Sequence, residues 1–185
     1  VLASPGDSIH IKGKCSSLRA AAVSSPLNEL YQEIKRRKRQ EDKEFGQLIN
    51  QYRSYFQDSV KLKSVVAEMA EMDQKKLEYL EELKNRNSLL AEYYATELYL
   101  SYHNHGGKYA NELEYFISEY FSFADFSSRI YDYLPSIYEG MNKYLGTLTR
   151  YVKDHEKLIA LIDSKIENIK KPSKAHQYGL GGILN

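Results

Sequence analysis

The histidines are the residues best suited to chemistry in this chain. His103 and His105 form a His-x-His pair, and His155 lies between two acidic residues. A zinc site needs three or four converging ligands, and the sequence contains neither a cysteine pair nor a His-Glu-x-x-His motif. The histidines are therefore predicted to lie at helix ends and on the surface, without a metal.

Cys15 and the carboxylates give no stronger indication of catalysis. A cysteine acts as a nucleophile only beside a positioned base, whereas the neighbours of Cys15 are Lys14 and Ser16. The carboxylates stand at helical-surface spacings, without the apolar surroundings that would raise their pKa values. The glycines near residue 180 follow no predicted strand, so they do not resemble a phosphate-binding loop. The sequence predicts a non-enzymatic protein with no cofactor, no metal and no small-molecule substrate.

Five consecutive cations form the most distinctive motif. They are Lys35, Arg36, Arg37, Lys38 and Arg39. Such runs occur in nuclear-import signals and in contacts with anionic membranes or nucleic-acid phosphates. The simpler interpretation is a solvated helix surface, neutralised by Glu41, Asp42 and Glu44 one turn later. Both interpretations stay open on the sequence alone.

A dense tract of aromatic residues is the strongest candidate for a partner-binding surface. Tyrosine is enriched at the buried centres of protein interfaces, although rings at this density also form cores. A slender helical protein has little interior, so some of these rings are expected to face a second chain. The tract contains Tyr115, Phe116, Tyr120, Phe123, Phe126, Tyr131, Tyr133 and Tyr138.

Long helices are expected to position these residues. Hydrophobic residues make up 42% of the 185, and the chain has only four prolines and ten glycines. Ser25-Pro26 is predicted to open the first helix, because serine caps a first turn and proline costs no hydrogen bond there. The predicted helices span about 26–105, 109–133 and 136–170. A break of the first helix at the polar stretch 85–88 is left open.

The two ends of the chain are predicted to lie outside the helical bundle. Residues 1–24 contain turn signals and short alternating stretches, which favour a flexible arm. Residues 172–185 follow a helix-ending proline and contain several glycines, which favour a flexible tail.

A seven-residue apolar repeat in the first helix predicts how that helix packs. Two columns counted from Phe45 and Leu48 hold 11 apolar or aromatic residues in 16 positions, which is typical of a coiled-coil seam. The seam contains Phe45, Leu48, Tyr52, Tyr55, Leu62, Val66, Met69, Leu80, Leu83, Leu90 and Tyr94. The expected fold class is all-α: an elongated helical hairpin or three-helix bundle with coiled-coil character that forms an oligomer.

The net charge and the cysteine content limit which partners and which cellular compartment the sequence favours. A net charge of +1, from 26 basic and 25 acidic side chains, argues against a general electrostatic binder of nucleic acid. One cysteine allows no internal disulfide, which favours the cytoplasm. No apolar run reaches the ~18 residues of a membrane span. Nuclear import through the basic run, or secretion after processing, are the alternatives.

The function predicted from these features is a scaffold or adaptor that mediates protein–protein association. Its partner would be another helical protein or a second copy of the chain, in a tether or in a subunit of a cytoskeletal or trafficking assembly. Two alternatives depend on the five cations alone. They are a BAR-like module that binds anionic membrane surfaces and a nucleic-acid-associated structural subunit.

Overall fold

The computed structural model is mostly helical, which confirms the all-α class. It describes residues 2, 8–13, 22–132, 136–169 and 173–184. Helix accounts for 75% of the structure, with almost no strand. The chain divides into two compact units, Val1–Ser59 and Val60–Asn185, which are described separately below.

The first unit contains a small sheet and one long helix. Strands β1 (His10–Lys12) and β2 (Ala22–Ser24) pair antiparallel, so part of the predicted flexible arm is a two-stranded sheet. Helix α1 (Pro26–Ser54) begins where the sequence predicts, because the Ser25 hydroxyl accepts a hydrogen bond from the Asn28 amide at 3.2 Å. Cys15 lies outside the described residues.

The first predicted helix is divided into four, so the prediction of one continuous helix over 26–105 is wrong. Helix α1 is followed by α2 (Ser59–Arg86), α3 (Ser88–Thr96) and α4 (Tyr102–His105). After α1, the Asp58 amide closes a turn on the Tyr55 carbonyl at 2.7 Å. The heptad columns therefore run through three helices rather than one.

Asn87 causes the second break, at the position that the sequence left open. Its backbone is extended, with φ −162°, and its side chain accepts a hydrogen bond from the Leu90 amide at 3.0 Å. Asparagine favours such caps because its short amide competes with the helical hydrogen bonds of the backbone. The cap ends α2 and begins α3.

The remaining helices are shorter than predicted, except for the last, which was not predicted. They are α5 (Glu112–Glu119), a single 3-10 turn (Arg129–Asp132), α6 (Ser136–Tyr151), α7 (His155–Glu167) and α8 (Lys174–Leu184). The helix predicted over 109–133 gives way to turns after α5, where the Asp125 carboxylate accepts hydrogen bonds from the Ser127 amide and hydroxyl. The helix predicted over 136–170 is interrupted before Asp154, whose side chain caps α7 by accepting from the Lys157 amide at 3.0 Å.

Helix α8 corrects the prediction of a flexible tail. It packs against α6, and its small residues Ala175, Gly179 and Gly182 are all buried. A Cβ atom on Gly182 would lie 2.3 Å from the Tyr138 carbonyl oxygen, and one on Gly179 would lie 3.0 Å from a methyl group of Ile169. The glycines that suggested mobility are thus the residues that let two helices approach closely.

The core of the second unit lies around α6 and is rich in aromatic rings. Its buried members are Tyr120, Phe121, Tyr131, Ile137, Met141, Tyr144, Leu148, Val152, Ile166, Ile169 and Ala175. Helix α3 contacts this core, since Thr96 and Ser136 place their hydroxyl oxygens 3.3 Å apart. The Tyr131 hydroxyl also donates to the Glu92 carboxylate at 2.7 Å.

Candidate functional site

The five consecutive cations lie on α1, and only part of the run faces solvent. Arg36 and Arg39 are exposed. Arg37 donates from Nε to the Glu41 carboxylate at 2.7 Å, and the Lys35 ammonium lies 5.3 Å from the centre of a tyrosine ring one turn earlier. Because successive helical residues are turned by about 100°, the run encircles α1 instead of forming one flat cationic face.

The predicted seam residues are distributed over α1, α2 and α3. Those that are buried are Leu48, Met69, Leu80, Leu83, Leu90 and Tyr94. Those that are half-buried are Phe45, Tyr52, Tyr55, Leu62 and Val66. Seam burial is most complete near α3, where the rings of Tyr79 and Tyr94 meet edge to face at 5.2 Å. Pairing of the seam with another chain stays a prediction.

Two charged residues that interrupt the seam form a buried polar cluster. Asp73 is 2% exposed and accepts hydrogen bonds from the Ser101 amide at 3.0 Å and from the Ser101 hydroxyl at 2.5 Å. The Lys76 ammonium lies 3.6 Å from the Asp73 carboxylate and donates to the Tyr99 carbonyl at 2.9 Å. The sequence contained a signal for this cluster, namely two opposite charges three residues apart on the otherwise apolar side of a helix. The hydrogen bonds of this cluster hold the non-helical segment after α3 against α2.

The histidine pair extends this cluster. On α4, the His105 ring places Nε2 3.3 Å from the Asp73 carboxylate. Burial lowers the pKa of His103, and the nearby Glu112 carboxylate acts in the opposite direction. His155 lies at the start of another helix, α7. Across the described part of the chain, no group of three or more histidine, cysteine, aspartate or glutamate residues is placed to hold a metal.

Most of the aromatic tract lies inside the second unit. Tyr115, Tyr120 and Tyr131 are buried, whereas Phe116, Phe123, Phe126 and Tyr138 are half-buried. Phe116 stacks on Tyr144 at 5.5 Å, and Phe126 meets Tyr131 edge to face at 5.5 Å. Tyr133 lies outside the described residues. Three of the seven described rings are therefore closed to a partner, and the other four are only partly accessible.

A hydrogen-bonded group at the end of α5 holds a carboxylate in its charged form. Tyr109 donates its hydroxyl to Glu119, and the Lys108 ammonium lies 3.2 Å from the same carboxylate. The Tyr109 hydrogen bond, followed by Lys108, lowers the pKa of Glu119. Glu119 is therefore an anion at neutral pH and is poorly suited to donate a proton.

An exposed apolar feature in the middle of a helix of the second unit lies on α7, which sequence reasoning did not single out for partner binding. Val60 and Leu184 are more exposed, at 77% and 85%, but they lie at the ends of α2 and α8. Ile159 is 59% exposed, and Leu158 and Ile162 beside it are half-buried. Ile166, seven residues after Ile159, lies on the same side of the helix and is 6% exposed. The apolar side of α7 therefore continues beyond the residues that cover it. Leu158, Ile159 and Ile162 are called the α7 stripe below.

Tyr151, at the end of α6, is the other exposed large residue near the start of α7. Its side chain is 67% exposed. An isolated exposed ring or aliphatic group is ordinary. An apolar side of a helix that extends beyond the residues packed against it is typical of a surface that another helix covers. The signal in the sequence was the regular spacing of three and four between apolar residues after His155.

Within the described ranges, no helix is both long enough and apolar enough to cross a membrane. Comparisons with known protein families, with curated proteins and with solved structures found no match.

Proposed function

We propose that this protein is a non-enzymatic scaffold or adaptor that associates with another helical protein or with a second copy of itself. The observation that carries the proposal is the α7 stripe, where Ile159 is 59% exposed while Ile166 on the same side is buried. Covering the stripe with a partner helix would remove that apolar surface from water. Coiled-coil pairing, oligomer formation and a cytoplasmic location belong to the same proposal.

The position of the aromatic tract in the structure makes it a weaker candidate for the partner-binding surface. The tract was the sequence-based candidate for partner binding, but three of its seven described rings are buried and the other four are half-buried. The α7 stripe is the contact surface in the proposal because Ile159 is more exposed than any described ring of the tract. Binding through the three buried rings would require the second unit to open.

Replacement of Ile159 by serine tests the proposal. Full burial of an isoleucine side chain is worth about 1.5–3 kcal/mol, so the variant should weaken association about tenfold. Ala160→Ser is the matched control, because Ala160 is an exposed neighbour on the same helix. Light scattering over a range of concentrations reports the mass of each variant.

Crosslinking identifies the partner if the isolated chain stays monomeric. A photoreactive amino acid at position 159 should capture one specific protein or a second copy, whereas the same group at position 160 should capture neither. A chain that is monomeric at every concentration and gives the same crosslinks from both positions would contradict the proposal.

The membrane and nucleic-acid alternatives depend on the basic run of α1. Arg36 and Arg39 are the exposed members, while Lys35 and Arg37 contact other residues of α1. Binding to anionic vesicles or to DNA that disappears as salt rises would favour these alternatives. Association that persists in high salt would favour the scaffold.

A further inference from the structure

An open cleft of about 340 Å³ lies beside α7 in the second unit. Its wall combines polar and aromatic groups from the end of α5, the turns that follow it, and α7. The lining residues include Ser118, Phe121, Ser122, Phe126, Lys165 and Asn168. The cleft lies on a different side of α7 from Ile159, because positions 159 and 165 are separated by about 120° around the helix axis.

Lys165 carries a charge in this wall without a carboxylate bound to it. The side chain is half-buried, and its ammonium donates one long hydrogen bond, 3.4 Å, to the Ser118 carbonyl. It also lies 5.8 Å from the centre of the Tyr144 ring. These contacts leave at least one of the three N–H donors of the Lys165 ammonium without a hydrogen-bond acceptor. In the described part of the chain, no carboxylate oxygen lies within ion-pair distance of this ammonium.

Two acidic side chains near the cleft are engaged elsewhere. Glu119 accepts from Tyr109 and pairs with Lys108. Asp125, which lines the cleft, accepts hydrogen bonds from the Ser127 amide at 3.0 Å and from the Ser127 hydroxyl at 2.6 Å. Lys165 therefore makes fewer and longer hydrogen bonds than Asp125, the other charged residue in the wall of the cleft.

Burial of this ammonium is unfavourable without a counterion. Desolvation lowers the pKa of Lys165, and the Glu119 carboxylate offsets only part of that effect. A bound anion would supply the missing partner, and a charge-assisted hydrogen bond in a half-buried site is stronger than one in water. The Asn168 amide donates one of its two N–H groups to the Ser164 carbonyl at 3.0 Å, so its second N–H remains as a further donor to the same anion.

We propose that the cleft binds a small organic anion, with its carboxylate or phosphate group on Lys165 and its apolar body against Phe121 and Phe126. Phe121 is buried and Phe126 is half-buried, and their rings meet edge to face at 5.3 Å. An aromatic or short aliphatic body suits this wall, because rings pack on rings in offset or edge-to-face arrangements. A positive charge in an aromatic-walled cleft discriminates against cations and neutral amides of the same shape.

The test uses the intact chain, labelled with ¹⁵N, and four probes of similar size. Phenylacetate and phenyl phosphate carry the two anionic groups, whereas phenylacetamide is neutral and phenethylamine is cationic. Saturable shifts of the backbone amides of Ser122, Ser127 and Asn168 are expected with one or both anions and not with the other two probes. The stronger of the two anions identifies the headgroup.

Lys165→Met removes the charge and keeps most of the apolar stem. The variant should bind the preferred anion about tenfold to a hundredfold more weakly, as expected for the loss of a hydrogen bond to a charged group. Lys157→Met is the matched control, because Lys157 is exposed on the same helix, and it should bind as the unchanged chain does. Circular dichroism establishes that both variants fold.

Two results would overturn the proposal. The first is the absence of saturable shifts with either anion in the unchanged chain, which would leave Lys165 as a residue that only caps the last carbonyls of α5. The second is equal binding of the anions and phenylacetamide. Both outcomes are obtained without a variant, so the test holds even if Lys165→Met fails to fold.

Discussion

At the scale of single residues, the buried cluster around Asp73 is the feature on which local stability depends most. A buried carboxylate is tolerated only when its oxygens are hydrogen-bonded and its charge is paired. Asp73 satisfies both conditions through Ser101 and Lys76. Water could replace the interactions of Asp73 with Ser101 and Lys76 only if the contact between α2 and the segment that follows α3 opened.

Asp73→Ala is expected to destabilise the protein by about 3–5 kcal/mol, because it leaves a buried ammonium and a buried amide without their partner. Glu71→Ala, two residues away on the exposed side of α2, should stay within about 0.5 kcal/mol of the unchanged chain. Urea unfolding of both variants measures the difference. A loss below about 1 kcal/mol in Asp73→Ala would mean that the cluster contributes little.

At the scale of helices, the composition of the sequence predicted the helical content correctly, whereas most of the predicted helix ends were wrong. Few prolines and a regular apolar spacing correctly predicted a mostly helical chain. The break at Asn87 was left open and the break before Asp154 was not predicted, because each depends on the capping hydrogen bond of one short polar side chain, which becomes visible only in three dimensions. Lys165 escaped notice for a related reason, since it is an ordinary lysine until two other segments desolvate it.

The glycines of α8 were misinterpreted because glycine has two opposite uses. It loosens a chain that has no partner, and it permits close packing when a partner is present. The sequence alone does not show that Tyr138 and Met141 lie against Gly182. Tertiary contact therefore decided between a flexible tail and a docked helix.

Gly182→Ala is expected to destabilise the contact between α8 and α6 by about 1–3 kcal/mol, because the added methyl group must displace backbone. This cost exceeds the gain of up to about 1 kcal/mol that alanine brings to a helix. Gly181→Ala is the control, since its Cβ would meet the Tyr138 ring at an ordinary 3.4 Å. Amide hydrogen exchange along α8 should accelerate only in Gly182→Ala, and equal exchange in both variants would contradict the close contact.

At the scale of the whole molecule, buried tyrosines make the second unit sensitive to alkali. Burial raises the pKa of Tyr144 to about 12, and it raises the pKa values of Tyr99, Tyr115 and Tyr131 still further. The native state therefore favours the neutral phenols. This contribution to stability is fully present below the unfolded pKa of 10.0 and is lost as pH rises towards about 12.

The expected result of an alkaline titration is that part of the tyrosine absorbance appears only with cooperative unfolding. Tyr144→Phe should reduce the loss of stability above pH 10. It should not weaken the protein at neutral pH, because the Tyr144 hydroxyl has no hydrogen-bond partner among the described residues. Tyr151→Phe, at a ring that is 67% exposed, should leave the alkaline profile unchanged. Smooth ionisation of every tyrosine near pH 10 would argue against the buried aromatic core.

The docking of α8 also limits how far this sequence can diverge. Any chain that keeps the α6–α8 pair must keep a glycine at the position of Gly182, since a Cβ atom there would collide with the backbone of Tyr138. A small residue is also favoured at Gly179, which faces methyl groups of Ile169 and Ile166. The surrounding apolar residues can exchange for one another much more freely. Three buried small residues spaced by four and three positions, as Ala175, Gly179 and Gly182 are, together with a bulky residue at the position of Tyr138, should therefore identify distant relatives better than overall sequence identity.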